Sequence, residues 1–241
     1  MVEMEEEIDQ EYLQELPTIK ELINDNIIKK LLTSTIFEKN SQEFFLKIYN
    51  FVQKYAKDKL VSGILYDYFN ETIETCSKEL TKELNDKSNS EIIDIFINVA
   101  NKMEIIIFFL SKTFSFLDFY YVIFENKQKI LKCTHEKYKI NIFMPVKNQL
   151  IEAVNKLLKK DREGERENRM KIKKILNMMK IMDFENPIMN RVNDTIIWDN
   201  EIEDEKKETP IQDYWFNLFL KDTEQFVTSK AIQDIQNRAT P

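Results

Sequence analysis

The sequence predicts an all-α protein made of long antiparallel helices, arranged as a bundle or as an elongated α-solenoid. The 241-residue chain contains only two glycines and five prolines, which are too few turn residues for a sheet protein of this size. Apolar residues recur at helical spacing almost everywhere. Hydrophobic residues make up 43% of the sequence, so a sizeable core can be buried.

The first half of the chain shows helical patterns separated by short polar breaks. We expect a first helix over 17–32 and a second from Ser41, whose hydroxyl suits an N-cap, to about Lys57. A third helix is expected over 60–84. Ser90 then caps a fourth helix, which is expected to continue without a break into a fifth as far as Val122. One face of the third helix carries Leu65, Phe69, Ile73, Cys76, Leu80 and Leu84.

The second half begins with a stretch, 127–139, that we interpret as a junction without its own helix. A long helix is expected over 145–160, with Pro145 suited to its first turn. Gly164 marks a corner, and Asn168 can cap a helix that ends near 181. The segment 183–210 carries nine acids against three bases and is expected to be an irregular solvated loop. A last helix is expected over 211–235.

Charge and cysteine content exclude several classes of protein. The net charge of −7 argues against a general nucleic-acid binder. Cys76 and Cys133 are too few for a disulfide scaffold, and the acidic start lacks the pattern of a secretory signal. We therefore expect a reducing compartment, the cytoplasm or the nucleus or both.

The apolar segment 105–124 is long enough to cross a bilayer, but its pattern argues otherwise. On a helical wheel its few polar side chains fall on one narrow stripe, which a lipid-facing helix would not keep. We therefore expect a mostly buried helix of a soluble protein and no membrane partner. The stripe consists of Glu104, Ser111, Ser115 and Asp118.

The residues needed for common catalytic and cofactor chemistry are missing from the sequence. His135 is the only histidine, and Cys133 beside it has no second pair of ligands, so neither a zinc site nor a Cys–His or Ser–His nucleophile is expected. Two glycines cannot form a phosphate-binding loop. We expect no catalytic residue, no metal and no cofactor, and we interpret the chain as a scaffold or interaction module.

Four sequence blocks, in this order, resemble the N-terminal region of cullins, the scaffold subunits of modular ubiquitin ligases. They are FLKIYNFVQKYA from Phe45, FLDFYYV from Phe116, IFMPVKNQLIEAVNKLLKKDREGE from Ile142 and FLKDTEQFVT from Phe219. In the third block Arg162 and Gly164 match the family's KxxRxGE pattern. The last block has Val227 where the family usually has tyrosine.

The resemblance implies repeats of five helices stacked into a curved stalk. It divides the chain into an acidic N-terminal segment 1–16, a first repeat 17–125 that binds an adaptor, and an incomplete second repeat 126–241 that includes the acidic loop 183–210. In the family a distal globular part, which is not in this sequence, binds the RING subunit. The chain is expected to be either a truncated piece of a longer protein or a natural short form.

In cullins the substrate adaptor docks on the second and fifth helices of the first repeat. On the second helix, aromatic and apolar residues extend beyond the core positions of the wheel. On the fifth, one continuous ridge is expected. The candidate adaptor-binding residues are Phe45, Leu46, Tyr49, Phe108, Ser111, Lys112, Ser115 and Phe119. The alternative is that the N-terminal segment or the first helix covers these aromatic residues.

The sequence therefore predicts a non-catalytic scaffold fragment of a cullin-RING E3 ubiquitin ligase. The segment 142–149 resembles the LFxPLxxQ pattern of the class that uses Skp-type adaptors, which favours that class. BTB-type adaptors stay open as partners. The alternative function is a helical-rod tethering subunit unrelated to ubiquitination.

Overall fold

The computed structural model describes residues 10–33, 41–164, 168–192, 195–200 and 210–239. Over these residues the chain is almost entirely helical, which confirms the all-α prediction, and one small hairpin is added. The helices are α1 (Gln10–Ile23), α2 (Lys30–Thr33), α3 (Ser41–Tyr55), α4 (Lys59–Lys82), α5 (Ile92–Thr113), α6 (Ile130–Lys137), α7 (Met144–Arg162), α8 (Arg169–Ile181) and α9 (Pro210–Ala239). The hairpin strands are β1 (Pro187–Val192) and β2 (Thr195–Asn200).

The first helix begins at Gln10, so the predicted start at residue 17 is wrong. The physical reason is Tyr12, which is fully buried with its ring 5.7 Å from that of Phe51 and 5.3 Å from that of Tyr55. This contact gives the acidic N-terminal turns an apolar anchor on α3. A π-helical segment, Asn24–Lys29, joins α1 to α2. Residues 1–9 lie outside the described part.

Helix α4 lies at the centre of the first half, and its predicted apolar face is buried as expected. The N-cap is Asp58, whose side chain accepts a hydrogen bond from Val61 N–H at 3.0 Å. Helix α5 packs against α4 and ends at Thr113. A turn and a π-helical segment, Asp118–Val122, follow, so the predicted unbroken helix through Val122 is wrong.

The segment predicted as a junction contains helix α6 and a π-helical segment, Tyr138–Phe143, that leads into α7. The prediction failed because α6 is short and carries lysines around its buried residues. Its first turn is fixed from outside, since the Asp118 Oδ1 atom accepts the Ile130 N–H at 2.8 Å. Cys133 then packs inward.

The corner between α7 and α8 contains Gly164 in the left-handed region, with φ of 111°, where a side chain would be strained. Asn168 precedes α8 as predicted, but its side chain makes no capping hydrogen bond.

Helix α9 lies against α8. The Arg162 guanidinium, at the end of α7, lies 5.4 Å from the Phe219 ring and 5.3 Å from the Phe226 ring of α9.

The prediction that 183–210 is irregular is wrong for the hairpin. Strands β1 and β2 pair antiparallel, with Met189 opposite Trp198. Met189 is buried, and the Trp198 ring lies 5.7 Å from the His135 ring of α6. The hairpin therefore forms because these side chains dock on the helices, a tertiary contact that local composition does not reveal. Residues 201–209 lie outside the described part.

Among the described residues, no helix has the length and apolar character needed to cross a membrane. The apolar stretch 105–124 is interrupted after Thr113, so it does not form one long helix. Most residues of its first part pack into the helical core, whereas Phe119, Tyr120, Ile123 and Phe124 are exposed.

Candidate protein-interaction surface

Helices α3 and α5 lie side by side and point in the same direction. The Phe45 ring lies 5.3 Å from that of Phe109, and one turn further along α3 the Tyr49 ring lies 5.1 Å from that of Phe116, which follows the end of α5. The residue numbers rise together, so the two chains are parallel here. The sequence therefore brings the two predicted halves of the adaptor-binding surface together.

The flank of α3 that faces α5 is aromatic and partly exposed. Phe45 and Tyr49 are half-buried and stack on each other at 5.7 Å, whereas Leu46 is 54% exposed. Ile48 and Val52, on the core side of the same helix, are fully buried. The flank thus has apolar side chains that the described fold covers only in part.

The opposite flank of α3 is the one that α1 covers. Tyr12 packs on Phe51, and Lys54 pairs with Glu11 and Glu15 at 2.9 Å each. These contacts bear on the alternative that the first helix hides the candidate aromatic residues. Within the described residues, α1 reaches the other side of α3 from Phe45 and Tyr49.

The candidate residues on α5 do not form the single ridge that the wheel predicts. Phe108 is half-buried, with the Lys112 Nζ 5.9 Å from its ring centre, while Ser111 is buried and donates to the Phe108 carbonyl at 3.2 Å. Ser115 lies in the turn after the helix, and its hydroxyl donates to the Lys112 carbonyl at 2.9 Å. Phe119 lies beyond that turn and is 65% exposed. The ridge is broken because α5 ends at Thr113.

The turn directs to solvent a group of apolar side chains, of which only Phe119 was among the predicted adaptor-binding residues. We call it the tip patch: Phe119, Tyr120, Ile123 and Phe124, which are 65%, 40%, 66% and 76% exposed. An exposed apolar group of this kind is typical of an interaction surface. The run FYYVIF was the available signal, but the sequence predicted a mostly buried helix over 105–124 and placed only Phe119 on an exposed ridge.

Inward contacts hold the tip patch in place. The Tyr121 ring lies 5.6 Å from that of Tyr66 on α4, and it also lies beside Gly63 of the same helix. Asp118 is half-buried and ties the segment to α6 through the Ile130 N–H, and burial raises the pKa of its carboxyl. Lys57, after α3, lies 5.6 Å from the Tyr120 ring. The patch is therefore a fixed part of the surface next to α3.

His135 and Cys133, for which the sequence predicts neither a metal site nor a nucleophile, have structural partners. The His135 Nε2 atom lies 2.8 Å from the Ile181 carbonyl oxygen, and burial lowers the pKa of the imidazole. The Cys133 Sγ donates to the Asn70 Oδ1 at 2.8 Å, and burial raises the pKa of the thiol to about 11. No group of three or more metal-ligating side chains occurs within the described ranges.

A helical fold with an exposed aromatic flank and an apolar tip is typical of scaffolds that bind other proteins. A comparison with protein families identifies it further, because residues 21–241 match the Cullin alpha solenoid domain. The match covers nearly the whole sequence, so the chain belongs to the cullin family, and the resemblance seen in the four sequence blocks is confirmed. A comparison with curated proteins finds no match.

Proposed function

We propose that this chain is the adaptor-binding portion of a cullin-RING E3 ubiquitin ligase and that it performs no chemistry itself. It would hold a substrate adaptor at the surface formed by α3, the end of α5 and the tip patch. Its contribution to ubiquitin transfer would be positioning, which raises the local concentration of substrate near the catalytic subunits. The RING protein would contact a region outside residues 1–241.

The observation that carries this proposal is the continuity of partly exposed apolar side chains from α3 to the tip patch. Leu46 and Phe119 offer open apolar area, and the half-buried Tyr49 ring joins the α3 flank to Phe116, three residues before Phe119. Energetic anchors of protein interfaces are aromatic or large apolar side chains of this type, each contributing about 2 kcal/mol or more. Lys112, exposed beside Phe108, supplies a polar rim.

We favour a Skp-type adaptor over a BTB-type adaptor because of the LFxPLxxQ-like segment 142–149. We also propose that residues 17–125 form the first cullin repeat and 126–241 part of a second, and that the protein acts in the cytoplasm, the nucleus or both.

The test is the affinity of recombinant Skp-type and BTB-type adaptors for the wild type and for Leu46→Ser/Phe119→Ser. Both side chains are exposed, so the double variant should keep its melting temperature while it binds at least about tenfold more weakly. The matched control is Met170→Ser on α8, where an exposed apolar side chain is removed far along the chain. Equal weakening by the control, or no binding of either adaptor by the wild type, contradicts the proposal.

A further inference from the structure

A cavity of about 660 Å³ lies between α5, α8 and strand β2. Of these three elements, only α5 also contributes to the adaptor surface. Its volume is in the usual range of small-molecule sites. The lining includes the apolar residues Ile105, Met178, Ile181, Phe184, Ile196 and Trp198. The hairpin forms one side of this cavity, so the unexpected β-structure creates a concave site that helices alone would not form.

The cationic side chains that line the cavity come from α8. The Lys174 Nζ donates to the Asn101 Oδ1 at 2.7 Å, which uses one of its three N–H groups. Lys180 is exposed. Among the described residues neither lysine has a carboxylate within ion-pair distance, unlike Lys171 on the same helix, which pairs with Asp94 at 2.7 Å. Neither of the two lysine charges in the cavity is therefore directly paired with a carboxylate of the described residues.

Glu104 is the acidic residue that lines the cavity, and its environment favours the neutral acid. Burial raises the pKa of its carboxyl to about 7, although Lys174 opposes that shift. The Tyr138 hydroxyl, from the segment after α6, and the Trp198 indole N–H, from β2, lie beside it. The Tyr138 hydroxyl is buried without a hydrogen-bond partner among the described residues, whereas the Trp198 N–H lies close enough to the Glu104 carboxyl to oppose the rise of its pKa. His135, on α6, packs against Trp198. Below neutral pH, Glu104 thus cancels little of the lysine charge.

We propose that this cavity binds a small organic anion, in which a flat apolar group lies among the aromatic and aliphatic walls and an acidic group meets Lys174 and Lys180. The apolar walls account for the flat group, because they provide area that is removed from water on binding. The lysines select for negative charge, because an anion is the ligand that balances them. This proposal is independent of the adaptor surface.

The probe for the test is 1-anilinonaphthalene-8-sulfonate, a flat apolar anion, compared with its uncharged analogue N-phenyl-1-naphthylamine. The chain has two tryptophans, and Trp215→Phe leaves Trp198 as the sole donor for energy transfer to the bound dye. We expect the anion to bind more tightly than the neutral dye in this background. Dye emission excited through Trp198 then reports binding at this cavity.

Substitutions separate the cavity lysines from general surface charge. We expect Lys174→Met and Lys180→Met each to weaken binding of the anion by roughly fivefold and to leave the neutral dye unaffected. The matched control is Lys173→Met, which removes the same charge from an exposed position of α8 that does not line the cavity. Because Lys180 is exposed, its substitution tests the proposal even if Lys174→Met fails to fold.

The pH dependence gives a second readout. Binding of the anion should strengthen as the pH falls from 8 to 6 and Glu104 becomes neutral, and Glu104→Gln should bind tightly at both values. Three results would overturn the proposal: equal affinity for the two dyes in the wild type, equal weakening by Lys173→Met and Lys180→Met, or unchanged pH dependence in Glu104→Gln.

Discussion

The ion pair between Lys102 and Glu83 gives the sharpest prediction about stability, because its two partners are buried to different extents. The Lys102 side chain is 9% exposed, and its Nζ donates to the Glu83 Oε1 at 2.9 Å and to the Leu32 carbonyl at 2.8 Å. The Glu83 side chain is 36% exposed. The contact ties α2 and the residue that ends α4 to α5.

The loss in free energy of unfolding should therefore differ between removing Glu83 and removing Lys102. Glu83→Gln leaves the Lys102 ammonium buried without a countercharge and should lower the free energy of unfolding by about 3 kcal/mol. Lys102→Met leaves Glu83 able to turn toward water and loses mainly the bond to Leu32, so it should cost about 1 kcal/mol. The double variant should cost about as little as Lys102→Met alone, because no unpaired buried charge remains.

The assay is urea denaturation followed by far-ultraviolet circular dichroism for the wild type, both single variants and the double variant. The account requires Glu83→Gln to be the most destabilised of the four proteins. If Lys102→Met costs as much as Glu83→Gln, or if the two costs add in the double variant, the argument from unequal burial is refuted.

Three other perturbations have defined outcomes. Folding raises the pKa of Glu104 from 4.5 to about 7, so its contribution to stability is present below pH 4.5 and is lost as the pH rises through 7. Urea titrations should show the free energy of unfolding falling by up to about 3 kcal/mol between pH 5 and 8. The fall should be smaller in Glu104→Gln. Asp118→Ala removes the acceptor for Ile130 N–H and should cost about 1 kcal/mol in the same assay, with the exposed Asp67→Ala as a near-neutral control. Arg162→Met removes the cation between two rings of α9, so amide exchange by mass spectrometry should quicken in α9 and stay unchanged in α4.

Sequence periodicity was sufficient to predict a helix and its bounds where the helix is long and has one continuous apolar face. Helix α4 is the clearest case, since its predicted face from Leu65 to Leu84 is buried and its predicted bounds differ from the observed ones by at most two residues. Such a helix is specified by its own amphipathic pattern, and neighbours confirm it rather than create it.

Elements that are held mainly by contacts with residues distant in the sequence were all missed for one physical reason. The start of α1 depends on Tyr12 packing on α3, and the hairpin depends on Met189 and Trp198 docking on the helices. Neither contact leaves a periodic signal in the local sequence. Helix α6 is too short for periodicity to distinguish it from a junction.

The candidate surface was predictable in its composition but not in its shape. The wheel identified Leu46 and Phe119, which the structure leaves exposed, and it also included Ser111, which is buried. It could not locate the other three residues of the tip patch, because the break after Thr113 changes the direction of the side chains that follow. Exposure is a property of packed neighbours, which a single helix does not determine.

Hydrogen–deuterium exchange of the chain with and without a bound adaptor tests the central claim most directly. We predict that a Skp-type adaptor slows amide exchange in α3 around Phe45–Tyr49 and in the stretch 108–124, with α8 and the hairpin unchanged. Slowed exchange confined to the hairpin or α9, with α3 and the tip patch exchanging as freely as before, would contradict the account.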